Sequence, residues 1–389
     1  MTEAAQSADT DILIVGAGPV GMTLALALQA GNADLRTTLL DARPRGAFVD
    51  DPRALALSHG TRQLLETLDA WNAPAATPIH DIHVSQSGGF GRTIIDRNEQ
   101  GVPALGYVMR YKNLCAGLDG HLAESAILER TTLTGTRLAR DHIVATVRQG
   151  DTERTIRTRL LVHADGTPRN SPDVFVADYR QHAVLAEVRS QPLHGNRAWE
   201  RFTPDGPLAL LPLGDDYSVV FTVPPAQADA LMQMDDAAFL AALQAQFGSR
   251  LHFTATSPRA RFPLALRLRR QLHAEREVWI GNAAQTLHPV SGQGFNLGIR
   301  DAWELAQALL DTHNGNDPCI AQRLRNYAVG RKSDRQGSAA FTDGIVRLFS
   351  NDAPPLRVAR GLGLLALDLW RPARQFVAGR MIWGARAWP

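Results

Sequence analysis

The apolar and polar residues of the chain follow two periods, which predict where its strands and helices lie. Short apolar runs bounded by turn residues predict strands at 11–15, 37–40, 131–149 and 154–162, with further short strands through 79–109 and 180–272. Apolar residues at helical spacing predict helices at 22–30, 51–71, 110–128, about 235–247, 295–311 and 320–341. This order is typical of an α/β protein whose sheet is interrupted by a second, mostly antiparallel sheet.

The same order predicts a discontinuous domain organisation. The chain divides into a nucleotide-binding domain at 1–78, 110–179 and 273–345, an inserted β-sheet domain at 79–109 and 180–272, and a C-terminal amphipathic helical segment at 346–389. The inserted sheet has little predicted helix cover. Sheets of that kind often wall a substrate cavity, and the alternatives are an interaction surface or a plain structural layer.

A dinucleotide-binding fingerprint occupies the N-terminal part of the chain. Gly16, Gly18 and Gly21 lie between the first strand and the first helix, and Asp41 ends the second strand twenty residues after Gly21. The first glycine allows a tight turn, the second lets a pyrophosphate approach, and the third packs helix on strand, while the acid accepts hydrogen bonds from ribose hydroxyls. Because Asp41 would repel a 2′-phosphate, FAD or NAD fits better than NADP, and the early position of the fingerprint favours FAD.

A second glycine-rich turn lies within the stretch 279–301. An apolar strand ends at Gly281, and Gly292 and Gly294 stand where a helix begins. Backbone N–H groups and the helix dipole at such a start favour an electron-rich ligand. The alternative is a βα turn that needs its glycines for geometry only.

Two other polar residues are candidates for ligand binding. Asp165 follows a predicted strand and precedes Gly166, so it can hold ribose or ribityl hydroxyls, or form only a turn. Arg53 stands at the start of a predicted helix, where a cation opposes the dipole. We therefore expect an anionic partner for Arg53, with a solvated side chain as the alternative.

Composition excludes several classes of protein. The 389 residues are 44% apolar and 21% charged, which is ordinary for a globular protein. A net charge of +2 gives no argument for nucleic acid binding. Cys115 and Cys319 are isolated, which argues against a metal site and fits a reducing cytosol. Because no signal peptide and no long apolar span is visible, we expect a cytoplasmic protein.

The segment 352–389 has a composition of its own. It combines six arginines and two acids with many Leu and Trp residues. Such a basic amphipathic segment suits the inner face of an anionic membrane or a groove on a partner protein. The alternative is an ordinary helical layer.

Together these motifs resemble the class A flavin-dependent aromatic hydroxylases, and within them the ubiquinone-biosynthesis branch. The residues that carry the resemblance are, in chain order, Gly16, Gly18, Gly21 and Asp41, then 53–58, 164–166, 281–301 and 349–352. The motif His-Pro-x-x-Gly-Gln-Gly-x-Asn-x-Gly-x-x-Asp, which begins at His288, is the most specific of them. The resemblance implies a Rossmann-like FAD-binding domain of the para-hydroxybenzoate-hydroxylase type, interrupted by a β-sheet substrate domain.

The resemblance also implies a reaction and a set of site residues. NAD(P)H binds transiently and reduces FAD, the reduced flavin adds O₂ to form a C4a-hydroperoxide, and an activated phenol attacks the distal oxygen. The implied cofactor-binding residues include the fingerprint, Arg53, Arg110, Asp165, Gly281, Asn282, Gly292, Gln293, Gly294 and Asn296. Pro289 would shape the pocket beside the reactive flavin edge. His288 is the nearest titratable group, although a structural histidine is the favoured alternative.

Two positions depart from the family pattern. Asn282 stands where related hydroxylases usually carry Asp, so it can hydrogen-bond the ribityl hydroxyls without a charge. The serine and arginine that commonly follow the Asp-Gly pair are displaced in the stretch 165–171, which changes the expected contacts with the cofactor and the nicotinamide.

Three functions remain open. The first is hydroxylation of a polyprenyl phenol in ubiquinone synthesis, with the C-terminal segment facing a membrane or a quinone-biosynthesis complex. The second is hydroxylation of a small soluble aromatic, with a structural C-terminal segment. The third is a non-catalytic, flavin-binding accessory subunit of a quinone-biosynthesis assembly.

Overall fold

The computed structural model describes residues 8–167, 171–311, 320–351 and 353–384. Its strands are β1 (Thr10–Val15), β2 (Thr37–Leu40), β3 (Ala54–Ser58), β4 (Thr77–Ile79), β5 (Asp81–Gln86), β6 (Arg92–Asp96), β7 (Gly106–Arg110), β8 (Ile127–Leu128), β9 (Thr131–Leu138), β10 (Ile143–Gln149), β11 (Thr152–His163), β12 (Val174–Gln191), β13 (Arg197–Phe202), β14 (Pro207–Leu213), β15 (Asp216–Val223), β16 (His252–Thr256), β17 (Ala260–Arg269), β18 (Glu277–Trp279) and β19 (Gln285–Thr286). Its helices are α1 (Pro19–Gly31), α2 (His59–Thr67), α3 (Arg97–Gln100), α4 (Tyr111–Asp119), α5 (Pro225–Gln233), α6 (Asp236–Phe247), α7 (Gln293–Leu310), α8 (Ile320–Phe349), α9 (Pro354–Leu369) and α10 (Arg371–Trp383).

The first sheet is parallel at its centre. Its strands run β8-β2-β1-β11, and β18 also pairs in parallel with β11, while β10 and β9 continue from β11 as an antiparallel meander. Leu13 and Ile14 of β1 are fully buried, and α1 and α7 pack against the sheet through Leu24, Leu28 and Leu305. Burial on both faces explains why β1 is a continuous apolar run. The predicted α/β fold is confirmed.

The second sheet is mostly antiparallel, as predicted. Its order is β19-β17-β12-β15-β14-β13-β5-β6, with β16 beside β12. Among the described strands of this sheet, β13 and β5 form the only parallel pair. Helices α5 and α6 pack on one face through Leu231, Phe239 and Leu243. The expectation of little helix cover was therefore wrong for this face. The sequence pattern missed α5 because Ala228 and Leu231 are its only buried residues among the nine.

A third sheet, β3-β7-β4, corrects the prediction of a helix at 51–71. Residues Ala54 to Ser58 form a strand that pairs antiparallel with β7, where Ala54 faces Arg110. Ala and Leu favour a helix on local propensity, but pairing with β7 overrides that preference. The helix starts only at His59, where the Ser58 side chain caps it by accepting the Thr61 N–H at 3.2 Å.

Two other helix boundaries differ from the prediction. The helix predicted at 110–128 ends at Asp119, because Ile127 and Leu128 pair with β2 and complete the edge of the first sheet. Helix α8 continues to Phe349, past its predicted end at 341 and past the predicted domain boundary at 345, and Val346 on this extension remains buried. The domain boundaries themselves stay predictions.

The C-terminal segment folds into α9 and α10, which pack on the second sheet beside the β5–β6 hairpin. A Cβ on Gly361 of α9 would lie 2.7 Å from the Phe90 carbonyl oxygen, so helix and hairpin approach closely. Arg374 of α10 pairs with Glu99 at 2.7 Å. None of the described helices combines the length and apolar character needed to cross a bilayer. Parts of the chain that entered the predictions above lie outside the described residues, namely 168–170 of the stretch 165–171, Cys319, Asp352 and the chain end at 385–389.

Candidate active site

The fingerprint glycines border a cavity of about 510 Å³ at the carboxyl ends of β1, β2 and β11, here called the dinucleotide cavity. A Cβ on Gly16, whose φ is +105°, would lie 2.5 Å from the Ala164 oxygen, and one on Gly21 would lie 2.0 Å from the Gly16 oxygen. Both positions therefore exclude a side chain. A Cβ on Gly18 would meet nothing nearer than the Tyr111 hydroxyl at 3.6 Å, so Gly18 leaves the cavity open for a ligand. These are the three roles that a bound pyrophosphate requires.

Asp41 lies at the rim of this cavity and is held there by the backbone. Its carboxylate accepts the Ala17 N–H at 3.0 Å and the Arg43 N–H at 2.9 Å. The Arg43 side chain also pairs with it at 3.3 Å. The carboxylate retains lone pairs for ribose hydroxyls, which fits the adenosine half of FAD.

The other end of the dinucleotide cavity is formed by residues distant in sequence. Because β11 and β18 are adjacent parallel strands, Asp165 and Gly281 meet at one edge of the sheet, and Asn282 and Gly294 line the same cavity. Gly281 has a φ of +58°, and a Cβ there would lie 3.1 Å from Val20. The Asn282 side chain is exposed and makes no hydrogen bond with the described part of the chain. Its amide is available to ligand hydroxyls.

Helix α7 starts beside this cavity without a side-chain cap. Gly292 precedes the helix with a φ of +62°, a left-handed conformation, and a Cβ there would lie 3.1 Å from the Ala56 Cβ. The first-turn N–H groups of a helix have no partner within the helix, and the dipole makes this end positive. An electron-rich edge of a flavin ring fits this end of the cavity.

A buried charged network ties the Gly281 turn to α7. The Asp301 carboxylate accepts the Gly281 N–H at 3.0 Å and the Gln285 side-chain N–H at 2.5 Å, and it pairs with Arg331 at 2.8 Å. Arg331 is fully buried and also contacts Asp334 at 2.8 Å. Burial lowers the pKa of Arg331, but the neighbouring carboxylates outweigh it and raise the pKa overall. The network therefore stays charged and holds the turn.

The two predicted arginines occupy different places. Arg53 lines the dinucleotide cavity, lies over the Tyr111 ring at 4.6 Å and forms a two-point pair with Asp51 at 2.8 and 2.6 Å. Asp51 is thus the anionic partner that we expected for Arg53. Arg110 instead points to the second sheet and pairs with Glu187 at 2.9 Å. It lies outside the lining of the cavity, so its assignment to the cofactor stays a prediction without geometric support.

A second cavity of about 290 Å³, here called the apolar cavity, lies between the second sheet and helices α8, α9 and α10. Ile82, Ile95, Phe202, Leu211, Phe349, Leu364 and Ile382 are among the apolar residues that line it. Pro289, Gly292, Gln293 and Asn296 border the apolar cavity, whereas Gly294, Phe295 and Gly298 border the dinucleotide cavity. The start of α7 therefore separates a site for the cofactor from a site for an apolar ligand.

Asn296 and Gln293 serve the protein scaffold through their side-chain amides. Asn296 donates to the Ala56 and Gly292 oxygens at 2.9 and 2.7 Å and accepts the Ser58 N–H at 2.8 Å. Gln293 donates to the Met381 oxygen of α10 at 3.0 Å. These bonds hold β3 and α10 around the start of α7. The direct cofactor contacts predicted for both residues remain predictions.

Pro289 and His288 differ in exposure. Pro289 is exposed and borders the apolar cavity. His288 is buried, its Nδ1 accepts the Val290 N–H at 3.1 Å, and the Tyr179 ring packs edge-on at 5.2 Å. Burial lowers the pKa of His288 to about 3. A neutral, buried residue in a turn matches the alternative that His288 is a structural histidine. The predicted catalytic role of His288 gains no support from this position.

Glu200 on β13 is the ionisable side chain that sequence reasoning missed. Among the described residues that line the apolar cavity, it is the only one that can carry a charge. No hydrogen bond from the described chain reaches its carboxyl group, and burial raises the pKa to about 8. A signal was present in the sequence, because Ala198, Glu200 and Phe202 share one face of a strand that is otherwise apolar on that face.

The comparisons with known proteins agree with this arrangement. Residues 9–333 match the FAD binding domain family. The chain is 32% identical over 381 residues to the ubiquinone hydroxylase UbiL of Rhodospirillum rubrum, covering 94% of this chain and 87% of that protein. It is 30% identical over 397 residues to the 3-demethoxyubiquinol 3-hydroxylase of Escherichia coli, covering 95% of this chain and 98% of that protein.

Solved structures show the same fold at lower identity. The p-nitrophenol 4-monooxygenase PnpA of Pseudomonas putida superposes with a TM-score of 0.77 at 17% identity, covering 97% of this chain and 99% of that one. PqsL of Pseudomonas aeruginosa, a probable FAD-dependent monooxygenase, gives a TM-score of 0.72 at 20% identity, covering 91% of this chain and 99% of that one.

A fingerprint cavity that fits FAD, separated by one helix start from an apolar cavity, defines a flavoprotein monooxygenase. The chain belongs to the FAD binding domain family, and within it to the ubiquinone-biosynthesis branch of the flavin-dependent aromatic hydroxylases. FAD is accordingly its cofactor, and NAD(P)H is its transient reductant.

Proposed function

We propose that this enzyme hydroxylates the aromatic ring of a polyprenyl phenol in ubiquinone biosynthesis, using NAD(P)H and O₂. The observation that carries the proposal is the apolar cavity bordered by Pro289 and Gly292 on one side and by α8, α9 and α10 on the other. Its lining is almost wholly apolar, which suits a prenylated ring better than a soluble benzoate. The names of the two relatives above agree with this substrate class.

The bound flavin supplies the oxygen activation, and the protein supplies placement. Gly18 and Asp41 would hold the pyrophosphate and ribose, and Asn282 would hydrogen-bond the ribityl chain. The uncapped start of α7 would stabilise negative charge on the flavin ring. The apolar walls exclude water from the phenol ring.

Within the branch, the sequence Gly281-Asn282-Ala283-Ala284-Gln285-Thr286 is similar to the subgroup of 2-octaprenyl-6-methoxyphenol hydroxylases. This closer assignment stays a prediction. Mass spectrometry of lipid extracts from cells that lack the gene tests it, because the accumulated precursor names the missing ring position. Accumulation of 2-octaprenyl-6-methoxyphenol supports the assignment, and accumulation of a later intermediate contradicts it.

Turnover assays separate the three functions that the sequence left open. The FAD-loaded protein should oxidise NAD(P)H faster when a prenylated phenol is added, and a soluble hydroxybenzoate should have no such effect. Stimulation by the benzoate alone would favour a soluble substrate. No stimulation by either, together with normal quinone synthesis by a Gly292/Gly294 double variant in cells, would favour an accessory subunit.

We further propose that α9 and α10 contact the inner face of an anionic membrane. Leu362 and Leu369 of α9, Trp370 between the helices and Phe376 of α10 are exposed apolar residues, the last three by 77%, 64% and 64%. Leu364 and Leu367, on the same helix α9, line the apolar cavity. The route of a prenylated substrate from the bilayer to the cavity is therefore short.

A basic cleft beside α9 supports the proposal that this surface contacts an anionic membrane. Arg92, Arg201, Arg250 and Arg357 line a cleft of about 870 Å³, and no acidic side chain is present among its described lining residues. Four arginines around one cleft favour an anionic ligand, and lipid phosphates beside an apolar helix are ligands of that kind.

Sedimentation with vesicles tests the membrane contact. The protein should bind phosphatidylglycerol-containing vesicles more strongly than neutral phosphatidylcholine vesicles, and a Leu369→Asp/Trp370→Asp variant should lose this binding. Val329→Asp is the matched control, because Val329 is equally apolar and 75% exposed but lies on α8. Equal binding of all three proteins, or capture by a quinone-biosynthesis protein without vesicle binding, would overturn the membrane proposal.

A further inference from the structure

Strand β13 presents one acidic residue to the apolar cavity. Side chains alternate along a strand, so Ala198, Glu200 and Phe202 face the cavity. The Trp199 ring packs on Phe247 of α6 and Arg201 donates to Gln246 of α6, although Trp199 also borders the cavity. The cross-strand neighbours of Glu200 are Ala209 on β14 and Val84 on β5, and neither can hydrogen-bond its carboxyl group.

The titratable groups beside Glu200 on β13 and on the paired strand β5 point elsewhere. Arg201 donates to the Gln246 oxygen of α6, and His83 on β5 packs against the Trp199 ring at 4.7 Å. The cavity-lining residues of α8, α9 and α10 carry no titratable group. Glu200 is half-buried, and its Oε1 atom is buried without a hydrogen-bond partner in a site whose lining is otherwise mostly apolar. Such a group is costly to bury and implies a polar group on the ligand.

We propose that the Glu200 carboxylate accepts the proton of the substrate's phenol hydroxyl, a role that rests on the proposed polyprenyl phenol substrate. The phenol O–H bond breaks, an O–H bond forms on Glu200, and the electron pair left on the phenol oxygen delocalises into the ring and activates it toward oxygen transfer. The ring then gains one atom of O₂, and the other atom leaves as water with the two electrons of NAD(P)H. Formation of that water consumes the proton, so Glu200 returns to the carboxylate form.

The environment of Glu200 matches the basicity that this role needs. An ordinary glutamate has a pKa near 4.3 and a phenol a pKa near 10, so proton transfer between them is strongly uphill. Burial raises the pKa of Glu200 to about 8, which reduces the mismatch to about two units. The phenol ring sits in the apolar part of the cavity, and its hydroxyl is the one group that Glu200 can satisfy.

The test compares wild type, Glu200→Gln and Glu200→Asp as FAD-loaded proteins, with 2-prenylphenol as the probe. Wild-type kcat/KM for the hydroxylated product should rise with pH to a plateau, with a midpoint near 8. Glu200→Gln should lower it roughly 100-fold at the plateau and lose that rise, because general-base contributions are typically of this size. Glu200→Asp should keep the rise at a reduced rate. Glu153→Gln, an exposed glutamate on β11, should behave like wild type.

A binding measurement provides a readout independent of turnover. Perturbation of the flavin spectrum reports the affinity of the oxidised protein for 2-prenylphenol and for its methyl ether, which has no proton to give. Wild type should prefer the phenol, and Glu200→Gln should lose that preference. Equal preference in both proteins, or an unchanged pH rise in Glu200→Gln, would overturn the role of Glu200.

The two proposals fail in different ways. If wild type shows no NAD(P)H oxidation with the probe, the proposed function fails, and the phenol-versus-ether preference still decides the role of Glu200. If Glu200→Gln does not retain FAD, Glu200→Asp decides the matter, and an Asp variant without the pH rise would overturn the role.

Discussion

At the scale of single residues, the three fingerprint glycines have different neighbours and should respond differently to the same substitution. A methyl group on Gly21 would collide with the Gly16 backbone at 2.0 Å, whereas one on Gly18 would meet only the Tyr111 hydroxyl at 3.6 Å. Gly21 is therefore a packing position, and Gly18 is a ligand position. The motif alone assigns these roles, and the structure supplies the contacts that explain them.

This difference predicts the outcome of two alanine variants. Gly21→Ala should destabilise the folded protein by about 2 kcal/mol or more, because the backbone must shift. Gly18→Ala should fold normally but bind FAD more weakly, since its methyl group lies in the cavity. Thermal unfolding of the apoprotein and FAD titration separate the two effects. Equal stability of both apoproteins would contradict the packing role of Gly21.

Glu200 predicts a pH dependence of stability. Burial raises its pKa from 4.5 to about 8 in the folded protein. Between these values the unfolded chain loses a proton that the folded protein keeps, so stability falls as pH rises through this window. Glu200→Gln removes that loss and should gain roughly 2 to 4 kcal/mol over wild type between pH 4.5 and pH 8. Denaturant unfolding at the two pH values measures the gain, and Glu153→Gln should show none.

At the scale of elements, success of the sequence predictions depended on how local each signal was. The first strand, helix and glycine turn were predictable because the signal lies within adjacent residues. Strand β3 was not, because Ala54 to Ser58 become a strand only by pairing with β7, some fifty residues on. The pairing of Asp301 with Arg331 was also hidden, since it joins α7 to α8.

The contacts of Arg331 lead to a prediction about how strongly α8 stabilises the Gly281 turn. It lies on the buried face of α8 with Leu324, Tyr327 and Asp334, at helical spacing. Arg331→Met should leave Asp301 buried without its partner and cost about 3 to 5 kcal/mol. It should also weaken FAD binding, because Asp301 holds the Gly281 N–H.

The matched control is Arg347→Met on the same helix. Arg347 is 69% exposed and pairs with Asp343 one turn away. Loss of such an exposed pair should change stability by no more than about 0.5 kcal/mol. Chemical denaturation and FAD titration measure both variants, and a similar result for the two would contradict the supporting role of the buried network.

At the scale of the whole molecule, the dinucleotide cavity and the apolar cavity are each built from parts that are far apart in the chain. The dinucleotide cavity was predictable because each of its motifs is recognisable by itself. The apolar cavity was not predictable, because it forms only where β13, α7 and α10 pack together. No local sequence pattern indicates that these elements are neighbours. Glu200 stands out on the otherwise apolar face of β13, but that local signal does not show which cavity the face borders, so its role was missed.

Because α9 approaches the β5–β6 hairpin closely, we expect α9 to keep water out of the apolar cavity. A side chain on Gly361 would lie 2.7 Å from the Phe90 oxygen, whereas one on Gly363 would meet nothing within 4 Å. Gly361→Leu should move α9 away and admit water, so more NAD(P)H is consumed per hydroxylated product. Gly363→Ala should leave this ratio unchanged. Product yield per NAD(P)H measures the effect, and equal ratios would contradict the sealing role of α9.

The stretch 277–286 has strands in both large sheets, since β18 pairs with β11 and β19 pairs with β17. Neither sheet can lose its pairing in this stretch without disturbing the other. Thermal denaturation should therefore be one cooperative transition, with equal calorimetric and van't Hoff enthalpies, rather than two independent melts. Release of FAD should coincide with that transition. Two resolved transitions in calorimetry would show that the sheets unfold as separate units.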